Sequence, residues 1–139
     1  MISIISGKHG KGKTKYLLDQ ANLAVTEVQG DVVYLDKGTK HMYELNRKVR
    51  LIDVEEYTIK STNAFVGFLC GIISQDHDLE KMYLDSFLKL AHLEGKDIAE
   101  TIDELNAISE KFGVDMIISI SLDQEEIPES AKKYITIAL

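Results

Sequence analysis

Cysteine, arginine and long apolar runs are all scarce in this chain of 139 residues, and each scarcity excludes something. Cys70 is the only cysteine, so no intrachain disulfide forms, no thiolate cage holds zinc, and nothing points to an oxidising compartment. A cytoplasmic location is the expectation. His9, His41, His77 and His92 make no pair spaced i, i+3 or i+4, the spacings that would put two imidazoles on one metal from one helix face. Arg47 and Arg50 are the only arginines, which leaves little for the cationic clamps and lid of a small-molecule kinase. The longest apolar stretch, Ala64 to Ile73, is about half the roughly 20 residues that a membrane-spanning helix needs, and the N-terminal Met-Ile-Ser-Ile-Ile-Ser is too short for a signal-peptide core. Neither membrane insertion nor a targeting segment is expected.

An excess of positive charge is missing too. The formal net charge of -7 argues against general affinity for nucleic acid or anionic lipid, whose binding requires cations brought to phosphate. Lys8, Lys11, Lys13 and Lys15 nevertheless stand together within residues 1–16 with no acid among them, so the positive field is concentrated at the N-terminus. The length suits one domain spanning residues 1–139.

Ile2 to Ser6 reads as a short buried strand ended by Gly7, followed by a helix with Leu17, Ala21, Ala24, Val25 and Val28 on one face and Gly30 as its stop. Val32–Asp36 and Val49–Val54 read as strands on either side of the polar segment 37–48. Ser61 caps a helix carrying Ala64, Phe65, Phe68, Leu69, Ile72 and Ile73, and Lys81–Asp85 is the next strand. Asp97 and Glu100 form a capping box for a helix that ends at Gly113. Asp115–Ser121 and Tyr134–Leu139 are the last strands, separated by an acidic loop around Pro128, the only proline. Strands alternating with helices imply an α/β, three-layer fold: a mostly parallel sheet of five or six strands with helices on both faces. Ligands of such sheets gather beyond the carboxyl ends of the strands, where Gly7–Thr14, Asp36 and Asp85 all fall.

Gly7-Lys8-His9-Gly10-Lys11-Gly12-Lys13-Thr14 fits the G-x-x-x-x-G-K-[ST] pattern of a phosphate-binding loop, in the required place between a strand and a helix. Glycines let the backbone curl with its N–H groups inward, and the helix behind them adds partial positive charge. Lys13 is expected to reach the β- and γ-phosphates of a nucleoside triphosphate, most simply ATP, and Thr14 to place its hydroxyl on Mg2+. Gly7, Gly10, Lys11, Gly12, Lys13, Thr14 and Lys15 make up the expected nucleotide-binding set. Lys8, His9 and Lys11 hold variable positions, where solvated side chains raising the local potential are the simpler reading. Asp85, after an apolar strand, is the expected second ligand of Mg2+, with Asp36 as competitor.

Met82-Tyr83-Leu84-Asp85-Ser86 resembles the second nucleotide motif of RecA-like P-loop ATPases, and Val32–Asp36 followed by a polar segment, a strand and a helix is similar to the order of elements in that class. As a whole the chain is similar to short bacterial P-loop proteins sometimes labelled twitching-motility ATPases, through its Gly-Lys-Gly-Lys-Thr and Leu-Asp-Ser segments. The resemblance implies a RecA-like fold and ATP hydrolysis. It implies a residue sensing the γ-phosphate at Ser119 or Ser121, and a water-positioning acid near the end of the second strand. The family has a Glu there and this chain has Asp36-Lys37-Gly38, so Asp36, or Glu44, Glu55 or Glu56 from the following segment, would have to serve.

For a homo-oligomer, Arg47 or Arg50 would supply a finger in trans, and Lys132 or Lys133 a cation across the subunit boundary; homo-oligomer and larger protein partner both stay open. The readings are, in order, an ATPase, a regulatory module that binds ATP with little hydrolysis, and a small-molecule kinase.

Overall fold

A computed structural model describes residues 1–139. Six strands, β1 (Ile2–Ser6), β2 (Asp31–Asp36), β3 (Val49–Asp53), β4 (Leu79–Leu84), β5 (Asp115–Ile120) and β6 (Ile135–Ala138), form one sheet in the order β3-β2-β4-β5-β1-β6. Every pairing is parallel. The helices are α1 (Lys13–Glu27), α2 (Thr62–Gln75), the single-turn α3 (Phe87–Leu90) and α4 (Ala99–Phe112).

Alternation along the strands divides the core in two. Ile4, Val33, Leu35, Met82, Leu84, Met116 and Ile118 point to the face covered by α2 and α4. Ile5, Val32, Tyr34, Tyr83 and Ile117 point to the face covered by α1 through Leu17, Leu18, Ala21 and Ala24. With both faces covered, the strands can be nearly continuous apolar runs. The α/β fold with a parallel sheet and helices on both faces is therefore as the sequence implies, and all of the sheet is parallel rather than most of it.

Local chemistry sets most of the ends. Ser61 accepts a hydrogen bond from the Ala64 N–H at 3.1 Å and starts α2. Gly113 closes α4 in the left-handed region at φ 65°. The expected capping box at Asp97 is not made, however. Asp97 accepts from the Ala99 N–H at 2.9 Å, Ile98 occupies the cap position, and Glu100 does not reach back. β4 begins two residues earlier than expected and ends at Leu84, so Asp85 lies just beyond the strand. The strand expected over Tyr134–Leu139 is Ile135–Ala138, because a 3-10 segment, Glu129–Tyr134, takes its first residue. Gly30 does not stop α1, which ends at Glu27. Its backbone instead runs against β4, where a Cβ would overlap the Asp78 carbonyl oxygen and its N–H donates to Glu80. Cys70 is only half-buried.

Candidate functional site

The carboxyl ends of β1, β2, β4 and β5 surround one cavity of about 510 Å³, and no residue lining it is hydrophobic. One wall is the segment between β1 and α1. Gly10 and Gly12 sit at φ 89° and 91°, a region other residues enter only with strain, and Gly12 occupies the cap position of α1. Neither position is short of room, so backbone conformation is what demands glycine there. Gly7 differs: at φ 152° it passes under Leu139, whose Cβ would lie 3.0 Å from any Cβ placed on it. The loop thus delivers the first turn of a 15-residue helix, with its free N–H groups and positive dipole end, to the cavity.

Lys13 and Thr14 occupy that first turn and line the cavity. Lys13 is buried, and its Nζ donates to the Lys8 carbonyl oxygen at 3.0 Å across the loop. Burial lowers its pKa, an effect partly opposed by the charge of Asp85. The Thr14 hydroxyl donates to Asp85 Oδ1 at 3.3 Å. Seventy-one positions separate the two residues in sequence, and sheet order brings them together.

Asp85 is the most completely held side chain of the site. Its Oδ1 also accepts from the Ser119 hydroxyl at 2.8 Å and from the Ser86 N–H at 2.9 Å, while Oδ2 accepts from the Tyr34 hydroxyl at 2.9 Å. Ser86 adopts a left-handed conformation at φ 54°, which turns the chain so that its N–H faces both Asp85 and the Ser119 oxygen, the latter at 3.0 Å. Tyr34 comes from β2 and Ser119 from β5, the strands flanking β4 on either side. Tyr34 is fully buried, and burial followed by the adjacent Asp85 carboxylate drives its hydroxyl pKa upward, so it stays a donor.

Asp36 lines the same cavity and is 5 % exposed. Its Oδ1 accepts from the Lys37 N–H at 2.7 Å, but its Oδ2 is buried with no partner. Burial, then repulsion from Asp85, raises its pKa to about 6, against the opposing effects of the Lys37 N–H, His41 and Lys40.

Other expected residues fall elsewhere. Lys11 and Lys15 are exposed and do not line the cavity; Lys15 pairs along the helix with Asp19 at 3.3 Å. Neither Arg47 nor Arg50 faces the cavity, and Arg50 lies instead beside Ile52 and Tyr57. Lys132 pairs with Glu129 at 3.2 Å and Lys133 covers the Tyr134 ring, and neither lines the cavity. Glu44, Glu55 and Glu56 are also outside the lining; Glu44 contacts His41 and Glu55 contacts Lys37. Ser119 and Ser121 both line it, Ser119 buried and Ser121 exposed. His9, read from the sequence as a solvated side chain at a variable position of the loop, lines it too, as do Lys37, Lys40, His41 and Lys89, which the sequence pattern does not single out. No helix of the chain is long and apolar enough to cross a membrane.

Comparison with protein-family models and with curated proteins gives no match, so the reading of the site rests on its own geometry.

Proposed function

We propose that the chain binds a nucleoside triphosphate, most simply ATP, together with Mg2+, and cleaves its β-γ phosphoanhydride as a RecA-like ATPase. The observation that carries this reading is the meeting of Thr14 and Asp85, two oxygen donors 3.3 Å apart, at the mouth of a glycine loop that opens a helix. Mg2+ favours hard oxygen ligands and few protein groups, so a hydroxyl and a fixed carboxylate beside bound phosphate suit it. Thr14 and Asp85 would hold the ion, which would supply positive charge to offset that of the phosphates.

The chain's own residues supply the rest. Lys13 leaves the Lys8 carbonyl and turns its ammonium group to the terminal phosphates, while the loop N–H groups hold the phosphate oxygens. Ser119, on the strand between β1 and β4, reports on the γ-phosphate through its bond to Asp85. Placement of that strand and its serine is what favours a RecA-like arrangement. Asp36 lines the cavity at the end of β2 and would take the proton of the attacking water, for which its raised pKa suits it near neutrality.

The second reading is a regulatory module that binds nucleotide and turns it over slowly. It is favoured by Asp36 itself, which is one methylene shorter than the Glu expected at that place. Mg2+-ATP binding and single-turnover hydrolysis of wild type, Lys13→Ala and Asp85→Asn decide between them. Loss of binding with Lys13 and loss of turnover with Asp85 support the ATPase. Binding without turnover in the wild type supports the module, and absence of binding to any nucleoside triphosphate sinks both.

A further inference from the structure

The wall of the cavity is built from charge and hydroxyl. Its 14 residues are four lysines, two aspartates, two histidines, one threonine, three serines and two glycines. Sites that enclose an organic ligand are mostly apolar, with a few polar groups placed to orient it. Here the proportion is reversed, and the ligand such a wall matches is one made of charged oxygen. The cavity of about 470 Å³ that adjoins it shares four lining residues with it and adds Leu88, Glu94, Gly95 and Leu122, again without an aromatic ring or an Asn or Gln side chain.

A protein tells one nucleobase from another with fixed hydrogen-bonding groups on the base edge, and gains affinity from apolar or aromatic surface against the base faces. The fixed groups of this cavity are turned to other partners: Asp85 already accepts from four donors, and Thr14 and Ser119 are two of them. Lys37, Lys40 and Lys89 are exposed. A lysine is a rotatable point charge that only donates, suited to phosphate oxygen and indifferent to the pattern of a base edge. The imidazoles of His9 and His41 offer a surface to stack on, but stacking does not discriminate, because every base has such a face. Tyr16 and Tyr43, the exposed rings closest in sequence to the loop and to His41, are outside the wall.

We infer that the site recognises the Mg2+-bound triphosphate group and leaves base and sugar unread, so that its ligands are nucleoside triphosphates at large and inorganic tripolyphosphate with them. The inference rests on the nucleotide reading and states what that site recognises. Lys13, Thr14 and the N–H groups at the head of α1 meet the part that all these ligands share. The base lies towards solvent and adds little to affinity.

Displacement of a ribose-labelled fluorescent ATP from the full chain in Mg2+ compares ATP, GTP, CTP, UTP and tripolyphosphate at one site. The four nucleotides are expected to displace it with affinities within about fivefold of one another, and tripolyphosphate within about tenfold of ATP. Lys13→Ala should weaken all five by the same factor, because it removes a contact common to them. A spread among the nucleotides greater than about fivefold would overturn the inference, as would tripolyphosphate that is more than about tenfold weaker than ATP or displaces nothing. A loss in Lys13→Ala confined to the nucleotides would do the same. Failure of the nucleotide reading looks different: the labelled ATP would not bind the wild type, or would bind wild type and Lys13→Ala alike.

Discussion

Tyr34 lies on β2 and Asp85 just beyond the end of the neighbouring β4, and the tyrosine hydroxyl, from a fully buried ring, donates to the carboxylate's Oδ2 at 2.9 Å. That bond fixes the orientation of a side chain whose other oxygen already serves Thr14, Ser86 and Ser119. Tyr34→Phe leaves the ring's packing and removes the donor. A buried carboxylate oxygen without its partner costs about 1–3 kcal/mol, so urea unfolding should register a loss of about 2 kcal/mol. Single-turnover cleavage of Mg2+-ATP should also slow about tenfold as the carboxylate loses its orientation. A loss of stability with unchanged turnover would make Tyr34 a core residue only.

Thr14 and Asp85 are expected to act as a pair. Residues in direct contact show interaction energies of about 0.5–3 kcal/mol in a double-mutant cycle. Thr14→Ala, Asp85→Asn and the double variant should therefore be non-additive by about 1 kcal/mol in Mg2+-dependent ATP affinity, measured by calorimetry. Additive effects would mean that the two side chains serve different parts of the ligand.

Asp36 makes a prediction about pH. Its folded pKa of about 6 lies above the ordinary 3.8, so the native chain holds the proton more tightly than the unfolded one. The stability this contributes is complete below about pH 3.8 and is lost as pH rises through about 6. At pH 7.5 the wild type carries a buried charge that Asp36→Asn does not. The variant should then be the more stable by about 1–2 kcal/mol, a value reduced from the full shift because the cavity admits water. The difference should shrink towards pH 4.5. A gap that stays constant with pH in urea titrations would rule out the raised pKa.

Gly7 and Gly10 separate two reasons for glycine. Gly10→Ala meets only an unfavourable φ of 89° with open space around it, a cost of about 1 kcal/mol. Gly7→Ala adds a collision with Leu139, 3.0 Å from the new Cβ and 3.3 Å from it at the carbonyl oxygen. It should lose about 2–3 kcal/mol in thermal or urea unfolding. Equal losses would show that Leu139 yields freely.

The parts of the site legible in sequence are those written in local spacing. Gly7–Thr14 is a contiguous pattern whose flanking strand and helix are themselves local, and Asp85 follows an apolar run. The apolar runs likewise specify a parallel sheet with both faces covered, because each needs partners on two sides. Tyr34 escapes notice because within Val-Val-Tyr-Leu-Asp it reads as one more buried residue. Its hydroxyl acquires a role only when β2 and β4 pair, a relationship no local window contains. Lys40 and Lys89 are hidden for a related reason: a polar connection without periodicity looks alike whether it faces solvent or a cavity. The single turn of α3 carries too few residues to show a period, and Asp97 and Glu100 satisfy a capping spacing whose reciprocal bond the backbone at Ile98 does not make.

The position of β1 between β5 and β6 bears on how the protein comes into being at the ribosome. The glycine loop is synthesised before the strands that hold β1 in place, residues 115–120 and 135–138. Until they emerge, β1 has no partner in the sheet and the Ser119 bond to Asp85 does not exist. Closing contacts between β1 and strands about a hundred residues further on is slow relative to local helix formation. A nascent chain halted after α4 would therefore possess the glycine loop and helices α1 to α4 without the strands that set β1 in the sheet, and the cavity would be assembled only once β5 and β6 have been made.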